Sequence, residues 1–502
     1  MSVFLIQPNL VVQKNDPLTT GIPYMPVGLA YVAACLERAG LEVEVIDAFG
    51  LNPRQVRCSG RFMFLGLTPE QVLARVDTRA RAVFVYAANL ACHDSSAEIV
   101  AALKQDRPDL PLAVLENTQA VTAYALAQAA PEFFALGADY VLCGEPDLRA
   151  VDLAQGLLAG KRTLAELGVD GLGDRQRLTE PEGVIEDLDS LPLPAWEKFP
   201  LTNYWGLRFA HGPLEARRYL PLLSSRGCPF ACGFCVVPAT NHRRWRGRSR
   251  RGVVDEMEHF QRTLGVSEFH FEDLNPTVSD SRTRGICSEI LDRGLKVTWK
   301  LVSGTKIETI KDGASLELMA RAGCRYISFS PETGSKRVLE LMGKPFDLEH
   351  AKGMVDEMNR LGIKSQACFV LGYPGETKED LDLSRRLVRR LTLGGVDEIA
   401  LFIITPVPGS AIFDRFQGFK TLSELNFTPT WRQDYASLNK FRLRLYLSFL
   451  FWKALRHPLK MAGQALNFVR RRFATKMEMT PYRALVYKMM QMKSCRPREE
   501  RP

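Results

Sequence analysis

The stretch SSRGCPFACGFCVVPA, residues 224–239, places Cys228, Cys232 and Cys235 within eight residues of one another. Their spacing is C-x3-C-x2-C, and the loop between them is rich in glycine and proline. A disulfide takes two cysteines, whereas a closed structural zinc or iron-sulfur site takes four protein ligands. Three clustered thiols therefore predict a metal cluster with one position left open. The alternative is a zinc site completed by His242.

The three cysteines follow the first strand of a long alternating series of strands and helices. The candidate strands are YLPLLS, EFHFE, VTWKLV, YISFS, ACFVLG and EIALFII, each followed by a helical period. Six such units predict a parallel, partly open (βα)6 barrel of the TIM type, with its chemistry at the carboxyl ends of the strands. The cysteine loop occupies that end of the first strand.

A second alternating series lies ahead of the barrel. SVFLIQ, VEVIDA, AVFVYAA, LAVLE and YVLCGE are typical of strands, and VGLAYVAACLERAG, SSAEIVAALKQ and AYALAQAAPEFFALG are typical of helices between them. This order predicts an α/β chain with a doubly wound, Rossmann-like domain over residues 1–150 and a ligand crevice at the carboxyl ends of its strands. We expect a proline-containing linker over 151–210, the barrel over 211–425 and a helical tail over 426–502.

The composition is that of an ordinary globular protein, with 502 residues, 46% apolar and 25% charged. The first ten residues, MSVFLIQPNL, lack the basic start and long apolar run of a signal peptide. We therefore expect a cytoplasmic, reducing location, where clustered cysteines hold metal more readily than they pair. The other eight cysteines are scattered without framework spacing: Cys35, Cys58, Cys92, Cys143, Cys287, Cys324, Cys368 and Cys495.

The basic charge of the chain is concentrated in its last part. Residues 441–502 contain 15 Lys and Arg against three Glu, a net of +12, so that a total of +9 leaves residues 1–440 at −3. The apolar run at 445–452 is far shorter than the roughly 20 residues of a spanning helix. An amphipathic helix with Leu443, Leu447, Leu450, Phe451 and Ala454 on one side would instead lie on the inner surface of a membrane. The flanking basic residues are Arg442, Arg444, Lys453 and Arg456, with Phe449 and Trp452 in the interface. The other interpretation is that the aromatic residues pack on the barrel; nucleic-acid binding is not expected, because no open stacking platform is present.

The cysteine loop resembles that of the radical S-adenosylmethionine (radical SAM) superfamily. The match is C-x3-C-x-Φ-C, with Phe234 as the aromatic residue. The resemblance implies that the three cysteines hold a 4Fe-4S cluster whose open iron binds the amino and carboxylate groups of SAM. It also implies reductive cleavage of SAM to methionine and a 5′-deoxyadenosyl radical, with electrons from a partner such as flavodoxin or ferredoxin.

Later segments extend the resemblance in order along the chain. They are FHFEDLNPTVSD, SFSPETGSKRVLELMGK, ACFVLGYPGETKEDL and TPVPGSAIFD. The first implies acidic residues near the SAM amino group, the second contacts with its ribose or carboxylate, and the third backbone packed on its adenine. Glu272 and Asp273 are the acidic residues expected near the amino group. Glu332 and Ser335 are expected at the ribose or carboxylate, and the backbone of Leu371 and Gly372 at the adenine. Trp299 and Lys300 on the third strand could point into the cavity, although Trp299 and His270 are expected to belong mainly to the core.

With the barrel, the first domain is similar to the cobalamin-binding domain of cobalamin-type radical SAM enzymes. The similarity is carried by IQPN, by PYMPVGLAYVAACLERAG and by YVLCGEPD, which contains Gly144 and Glu145. The chain departs from that group at LENTQAV, residues 115–121, where a glycine-rich turn would let the cobalamin nucleotide tail approach the backbone.

The resemblance implies a cobalamin-dependent methyltransferase acting on an unactivated carbon of a lipid-like or secondary-metabolite substrate. A cobalamin-free radical cyclase, rearrangement or C–C coupling enzyme is the second hypothesis, and a zinc-stabilised binding module is the third. A transfer-RNA methylthiotransferase is disfavoured, because no second set of clustered cysteines is present. The sequence does not identify the catalytic residues or the substrate.

Overall fold

Runs of β-branched and aromatic residues form two parallel sheets, because such residues pack well where both faces of a sheet are buried. The computed structural model of the protein describes residues 2–425 and 428–495. The parts of the predicted tail at 426, 427 and 496–502 lie outside the described residues.

The N-terminal sheet has the order β3-β1-β6-β7-β8, with all neighbours parallel and β9 added antiparallel at the edge. The doubly wound topology is thus confirmed, and its switch point lies between β1 and β6. The strands of this domain are β1 (Ser2–Gln7), β2 (Leu10–Gln13), β3 (Glu42–Asp47), β4 (Val56–Ser59), β5 (Phe62–Leu65), β6 (Ala80–Ala87), β7 (Leu112–Glu116), β8 (Tyr140–Leu142) and β9 (Leu172–Gly173). Its helices are α1 (Val27–Arg38), α2 (Ala48–Leu51), α3 (Pro69–Leu73), α4 (His93–Asp106), α5 (Leu126–Ala135), α6 (Pro146–Leu158) and α7 (Leu164–Leu167).

The structure ends this domain later than the expected residue 150. That position falls inside α6, which packs on α1, and β9 continues the sheet as far as Gly173. The connector after β9 is mostly extended, with a short helix α8 (Leu201–Leu207) before the barrel. A two-residue strand carries too little periodicity to be found from sequence.

A small antiparallel sheet, β2-β5-β4, was not predicted. Its strands have four residues each, and it lies beside the larger sheet. Cys58 of β4 is paired in a disulfide with Cys495, across a separation of 437 residues. Sequence spacing gave no indication of this pair, because the two cysteines meet only when the chain end returns to the first domain.

The second sheet is an open barrel with the strand order β10-β13-β14-β15-β16-β17, every neighbour parallel, which confirms the predicted (βα)6 arrangement. The six strands are β10 (Tyr219–Leu222), β13 (Glu268–Phe271), β14 (Thr298–Thr305), β15 (Cys324–Glu332), β16 (Lys364–Leu371) and β17 (Glu398–Ile403); β11 (Ser225–Arg226) pairs antiparallel with β12 (Arg246–Gly247) beside the cysteine loop. The helices are α9 (Val237–Thr240), α10 (Arg250–Leu264), α11 (Asp280–Asp292), α12 (Gly313–Arg321), α13 (Lys336–Leu341), α14 (Leu348–Leu361) and α15 (Lys378–Leu393).

Three C-terminal helices cover the last barrel strand and return to the first domain: α16 (Tyr435–Arg456), α17 (Pro458–Arg470) and α18 (Lys476–Ser494). Backbone N–H groups at the start of α18 donate to the Glu398 carboxylate, and Phe473 N donates to Leu214 O at 2.7 Å. Within the described residues no helix is long and apolar enough to span a membrane.

Buried ion pairs join the two domains behind the cysteine loop. Arg226 donates two hydrogen bonds to Asp147, at 2.7 and 2.8 Å, and Arg246 donates two to Glu145, at 2.8 and 3.0 Å. All four side chains are buried, and both carboxylates lie in or next to the first turn of α6. Each fork of paired hydrogen bonds fixes both the distance and the orientation of the partner.

We expect Arg226→Met to destabilise the protein by about 3–5 kcal/mol, because it leaves Asp147 charged and buried without its partner. Differential scanning calorimetry measures the change. The control is Arg244→Met, which breaks an ion pair with Glu186 whose side chains are 53% and 59% exposed; this loss should cost about 0–1 kcal/mol. Equal effects of the two substitutions would contradict the interpretation.

Candidate functional site

The cysteine loop lies at the carboxyl end of the barrel strands, as predicted. Gly227 begins it with φ +75°, and a Cβ there would meet Arg244 O at 2.0 Å, so no other residue fits. A single turn joins Cys235 N to Cys232 O, and Gly233 N donates to Met342 O at 2.9 Å. All three thiols are free and partly buried. They are therefore held on one rigid loop.

Burial raises the pKa of all three thiols, for Cys235 to about 12. The ammonium groups of Lys344 and Lys306 oppose this rise at Cys228 and Cys232. The loop thus combines a partly apolar setting with two nearby positive charges, an environment that favours a bound anionic group.

Lys344 forms a buried ion pair with Glu332. Burial disfavours the ammonium form, but the carboxylate overcomes this and raises the pKa of Lys344. Glu332 has φ +63°, a strained conformation for a residue with a side chain, and such strain is concentrated at functional sites. Lys344 also lies 5.9 Å from the centre of the Phe234 ring, and Lys306 lies 5.1 Å from that of Phe230. The predicted Glu332 is thereby brought to the cysteine loop.

His242 is not placed with the three cysteines, and the three cysteines do not themselves converge on one metal-ion position in the described residues. Among the described residues, no group of three or more His, Cys, Asp or Glu side chains is placed to hold one metal ion. His242 is exposed and has φ +50°.

Leu371 and Gly372 lie at the end of β16, next to the strand that carries Glu332. Gly372 has φ +76°, its N–H donates to Glu376 at 2.6 Å, and its carbonyl accepts from Arg432 at 3.0 Å. Ser335 starts α13 by accepting from Val338 N, and its hydroxyl donates to Asp380 at 2.6 Å. Both backbone polar groups of Gly372 are thus engaged, and the Ser335 side chain shapes the turn after β15.

The two acidic residues of the second barrel strand have different surroundings. Asp273 is fully buried and accepts from Ser224 N, Ser224 Oγ and Ser225 Oγ at 2.6–3.1 Å. It therefore anchors the segment that leads into the cysteine loop. Glu272 accepts from Ser303 Oγ at 3.3 Å and lies 2.7 Å from His211 Nδ1.

His211 and Lys476 enter the barrel interior from outside the strand series. Lys476 Nζ donates to Val302 O at 2.8 Å and lies 3.3 Å from His211 Nε2. Burial lowers the pKa of His211 and of Lys476. At Glu272 burial acts to raise the pKa, but the neighbouring His211 imidazole outweighs it, and the pKa of the carboxyl is lowered. Tyr24 of the first domain packs on the His211 ring at 4.6 Å. Sequence reasoning missed this polar cluster, because no local motif marks residues contributed by chain segments so far apart.

Three side chains on neighbouring barrel strands are buried: Trp299, Lys300 and His270. Trp299 is buried and its indole donates to Ala322 O at 3.0 Å. Lys300 is fully buried and lies 3.1 Å from Glu268, which also contacts His270 at 2.9 Å.

The predicted crevice of the first domain is a small cavity of about 70 Å³ that faces the barrel. Gln13, Tyr24 and Asn89 line it together with Thr405 and Val407, which follow the last barrel strand. Gln13 Oε1 is buried without a hydrogen-bond partner in the described residues. A buried polar atom of this kind is one that a bound group would satisfy.

The LENTQAV segment contacts the cysteine loop. Gln119 Oε1 accepts from Gly227 N at 3.3 Å, and its amide donates to Glu145 and to Asn241, both at 3.1 Å. Thr118 O accepts from Asn241 Nδ2 at 2.9 Å. The side chains that replace a glycine-rich turn thus bridge the two domains.

Residues 222–388 match the sequence model of the Radical SAM superfamily. This chain carries a radical SAM domain over those residues. The matched region contains the three cysteines and extends from β10 into α15. A radical SAM domain implies a 4Fe-4S cluster and SAM, and the free, partly buried thiols of one loop beside two ammonium groups fit such a cluster.

Two curated relatives of this chain are methyltransferases by name. An uncharacterized methyltransferase of Pyrococcus horikoshii is 26% identical over 296 residues, 59% of this chain and 61% of the relative. Cytidylyl-2-hydroxyethylphosphonate methyltransferase of Streptomyces wedmorensis is 27% identical over 477 residues, 86% of this chain and 85% of the relative.

The fold of this chain is also similar to that of a solved structure. The radical SAM methyltransferase TsrM of Kitasatospora setae, with cobalamin and a [4Fe-4S] cluster bound, aligns with a TM-score of 0.61 at 19% identity, over 82% of this chain and 74% of that one. At this identity the likeness shows the two-domain fold and no more.

Gln119→Ala removes two hydrogen bonds to the barrel, to Gly227 and Asn241, and one to Glu145 of the first domain, each worth about 0.5–1.5 kcal/mol. We expect amide hydrogen exchange in residues 224–235 to accelerate by about tenfold, which corresponds to about 1.4 kcal/mol. Mass spectrometry of that peptide measures the rate. Gln128→Ala, on an exposed position of α5 with no side-chain hydrogen bond among the described residues, should leave it unchanged. Unchanged exchange in both variants would show that the bridge does not restrain the loop.

Proposed function

We propose that this chain cleaves S-adenosylmethionine reductively at a 4Fe-4S cluster held by Cys228, Cys232 and Cys235. The observation that carries the proposal is the single loop of three free cysteines at the strand ends, beside Lys306 and Lys344. Positive charges there stabilise an anionic cluster and oppose the cost of its burial. A reducing protein such as flavodoxin or ferredoxin supplies the electron.

The SAM site in this proposal lies between the ends of β15 and β16. Glu332 and the backbone of Leu371 and Gly372 contact SAM, and Lys344 is the counter-charge that holds Glu332 in place. Ser335 keeps the turn after β15 in shape, and Asp273 holds Ser224 and Ser225 ahead of the cysteines. Glu272, with His211 and Lys476, faces the substrate space inside the barrel.

The reaction we propose is cobalamin-dependent methyl transfer to an unactivated carbon. Support comes from the crevice shared by the two domains, from the unpartnered Gln13 Oε1 in its wall, and from relatives that are methyltransferases by name. When bound, the cluster supplies the electron for SAM cleavage and cobalamin carries the methyl group. The cavity of about 70 Å³ is far smaller than cobalamin, so binding would require the crevice to widen, with Gln13 then in its wall.

A cobalamin-free cyclase, rearrangement or C–C coupling enzyme is the second candidate. It is favoured by the 117–119 segment, where Thr118 and Gln119 are engaged with the cysteine loop and leave no glycine cradle for a nucleotide tail.

Both SAM cleavage and cobalamin binding can be tested on one preparation. The protein is expressed with ample cobalamin, purified anaerobically and reconstituted with iron and sulfide. We expect the wild type to form 5′-deoxyadenosine from SAM and dithionite and to show corrin absorbance. Cys232→Ala should lose 5′-deoxyadenosine formation by more than a hundredfold while keeping the corrin, because the two sites lie in different domains. Cys324→Ala, at a buried cysteine of β15 away from the loop, should keep both.

Retained 5′-deoxyadenosine formation in the Cys232→Ala protein would rule out the cluster assignment. Wild-type protein that cleaves SAM but binds no corrin would favour the cobalamin-free candidate.

The finer part of the proposal is a cytoplasmic enzyme held on the inner membrane surface, with a lipid-like substrate. Support comes from the outer side of α16 and α17, whose apolar residues are exposed instead of packed. Exposure is 67% for Leu447, 65% for Phe451 and 86% for Leu459. From 435 to 477 the chain has ten basic and no acidic residues. This composition suits an anionic bilayer surface.

The structure corrects the side-chain assignment on α16. Leu443, Leu447, Leu450, Phe451 and Ala454 are exposed on one side, as predicted. Phe449, Arg442 and Lys453 are instead buried against the barrel, and Trp452 is half-buried. Lys453 donates to Asp397 O and Gln464, so its charge is not available to a membrane.

Point substitutions on the exposed side test this part, because truncation before α16 would also remove core residues such as Phe449 and Tyr487. We expect Leu447→Gln/Phe451→Gln to weaken binding to phosphatidylglycerol vesicles, measured by sedimentation, by at least about a hundredfold, since each of the two apolar side chains contributes about 1.5–3 kcal/mol and about 1.4 kcal/mol corresponds to tenfold. Leu148→Gln/Leu393→Gln, at exposed positions on α6 and α15, should sediment as the wild type does. Equal sedimentation of all three proteins, or none by any, would remove the support for a lipid substrate.

A further inference from the structure

A second cavity, of about 490 Å³, lies at the end of the barrel opposite the cysteine loop. Three chain segments meet there: helix α8, the residues just before β10, and the end of α17. Five of its seven lining residues are arginines, and none is acidic: Thr202, Trp205, Arg208, Arg217, Arg218, Arg470 and Arg471. We call this the arginine cavity.

The positive charges of the arginine cavity are not balanced by the protein. Within residues 2–425 and 428–495, none of the five arginines makes an ion pair with a carboxylate. Two of them donate to backbone carbonyls: Arg208 to Arg471 O at 3.3 Å and Arg218 to Leu264 O at 2.9 Å. Burial and the neighbouring Arg217 lower the pKa of Arg208, which shows the like charges opposing one another. Each guanidinium therefore retains N–H donors for a bound anion.

Two of these arginines occupy strained backbone positions. Arg208 has φ 64° and Arg471 φ 53°, and they cap the C-termini of α8 and α17. Glycine is the usual residue there, and a side chain costs about 1–2 kcal/mol. Attraction to the helix C-termini accounts for a positive charge at these two caps. It does not account for Arg217 and Arg218, which lie outside any helix.

We propose that the arginine cavity binds a phosphate-bearing group. Planar guanidinium forks match phosphate oxygens bidentately, and several arginines converging without carboxylates are typical of phosphate sites. The volume lies in the range of small-molecule sites and exceeds what one inorganic phosphate needs. Arg218 also lies 5.5 Å from the centre of the Trp205 ring, which stiffens one wall.

The favoured source of the phosphate is the headgroup of an anionic lipid. Arg470 and Arg471 end the same helix that exposes Leu459, Leu466 and Val469, so headgroup and acyl contacts would come from one element. A free polyphosphate or nucleotide offers the same chemistry. The proposal does not depend on the radical chemistry, because Arg217 and Arg218 precede β10 and the cysteines follow it.

The test uses full-length reconstituted protein at low salt with two probes. Calorimetric titration with pyrophosphate measures free phosphate binding, and sedimentation with phosphatidic acid vesicles measures lipid binding, with phosphatidylcholine vesicles as the blank. The pocket variant is Arg217→Gln/Arg218→Gln/Arg470→Gln. The control variant is Arg54→Gln/Arg81→Gln/Arg175→Gln, which removes the same charge from exposed sites elsewhere. Circular dichroism verifies that both variants fold.

We expect the pocket variant to bind at least one probe tenfold more weakly than the wild type, and the control variant to bind within twofold of it. A loss confined to phosphatidic acid vesicles assigns a lipid headgroup, and a loss of pyrophosphate binding assigns a soluble phosphate compound. Pyrophosphate binding by Leu447→Gln/Phe451→Gln should equal that of the wild type, which separates this site from the apolar surface. Equal weakening in the two triple variants, or no binding of either probe by the wild type, would overturn the proposal.

Discussion

The pairing of Arg226 and Arg246 with Asp147 and Glu145 is the constraint on which the arrangement of the two domains depends. A buried carboxylate without its partner is costly, so these paired hydrogen bonds allow little displacement of one domain relative to the other. Because Arg226 lies two residues before Cys228, its ion pair with Asp147 fixes the start of the cysteine loop relative to α6 of the first domain. Any chemistry shared between the crevice and the barrel needs this fixed relation.

Gln119 adds a second, neutral connection at the same place. Its amide contacts Gly227, Glu145 and Asn241, and so joins the end of the first sheet to the loop. The residues that depart from the expected glycine-rich turn thus connect the first domain to the cysteine loop. This gives a physical reason for side chains at a position where close approach of a ligand would require none.

The open side of the barrel has a consequence for the site. Six strands do not close a barrel, and the segment before β10 and the start of α18 fill the gap. These two segments bring His211 and Lys476 next to Glu272, beside the SAM site proposed above. The C-terminal helices therefore contribute to the interior while their outer sides remain apolar and basic.

The sequence by itself indicated the two parallel sheets and the cysteine loop, because strand periodicity and the spacing of Cys228, Cys232 and Cys235 are local properties. It also indicated Glu332 and Gly372, which follow strands whose carboxyl ends share one edge. Only the tertiary structure decided that Lys344 pairs with Glu332, that Lys476 enters the barrel, and that Cys58 meets Cys495. Such contacts depend on how distant segments pack, and a long-range contact leaves no periodic signal in the chain.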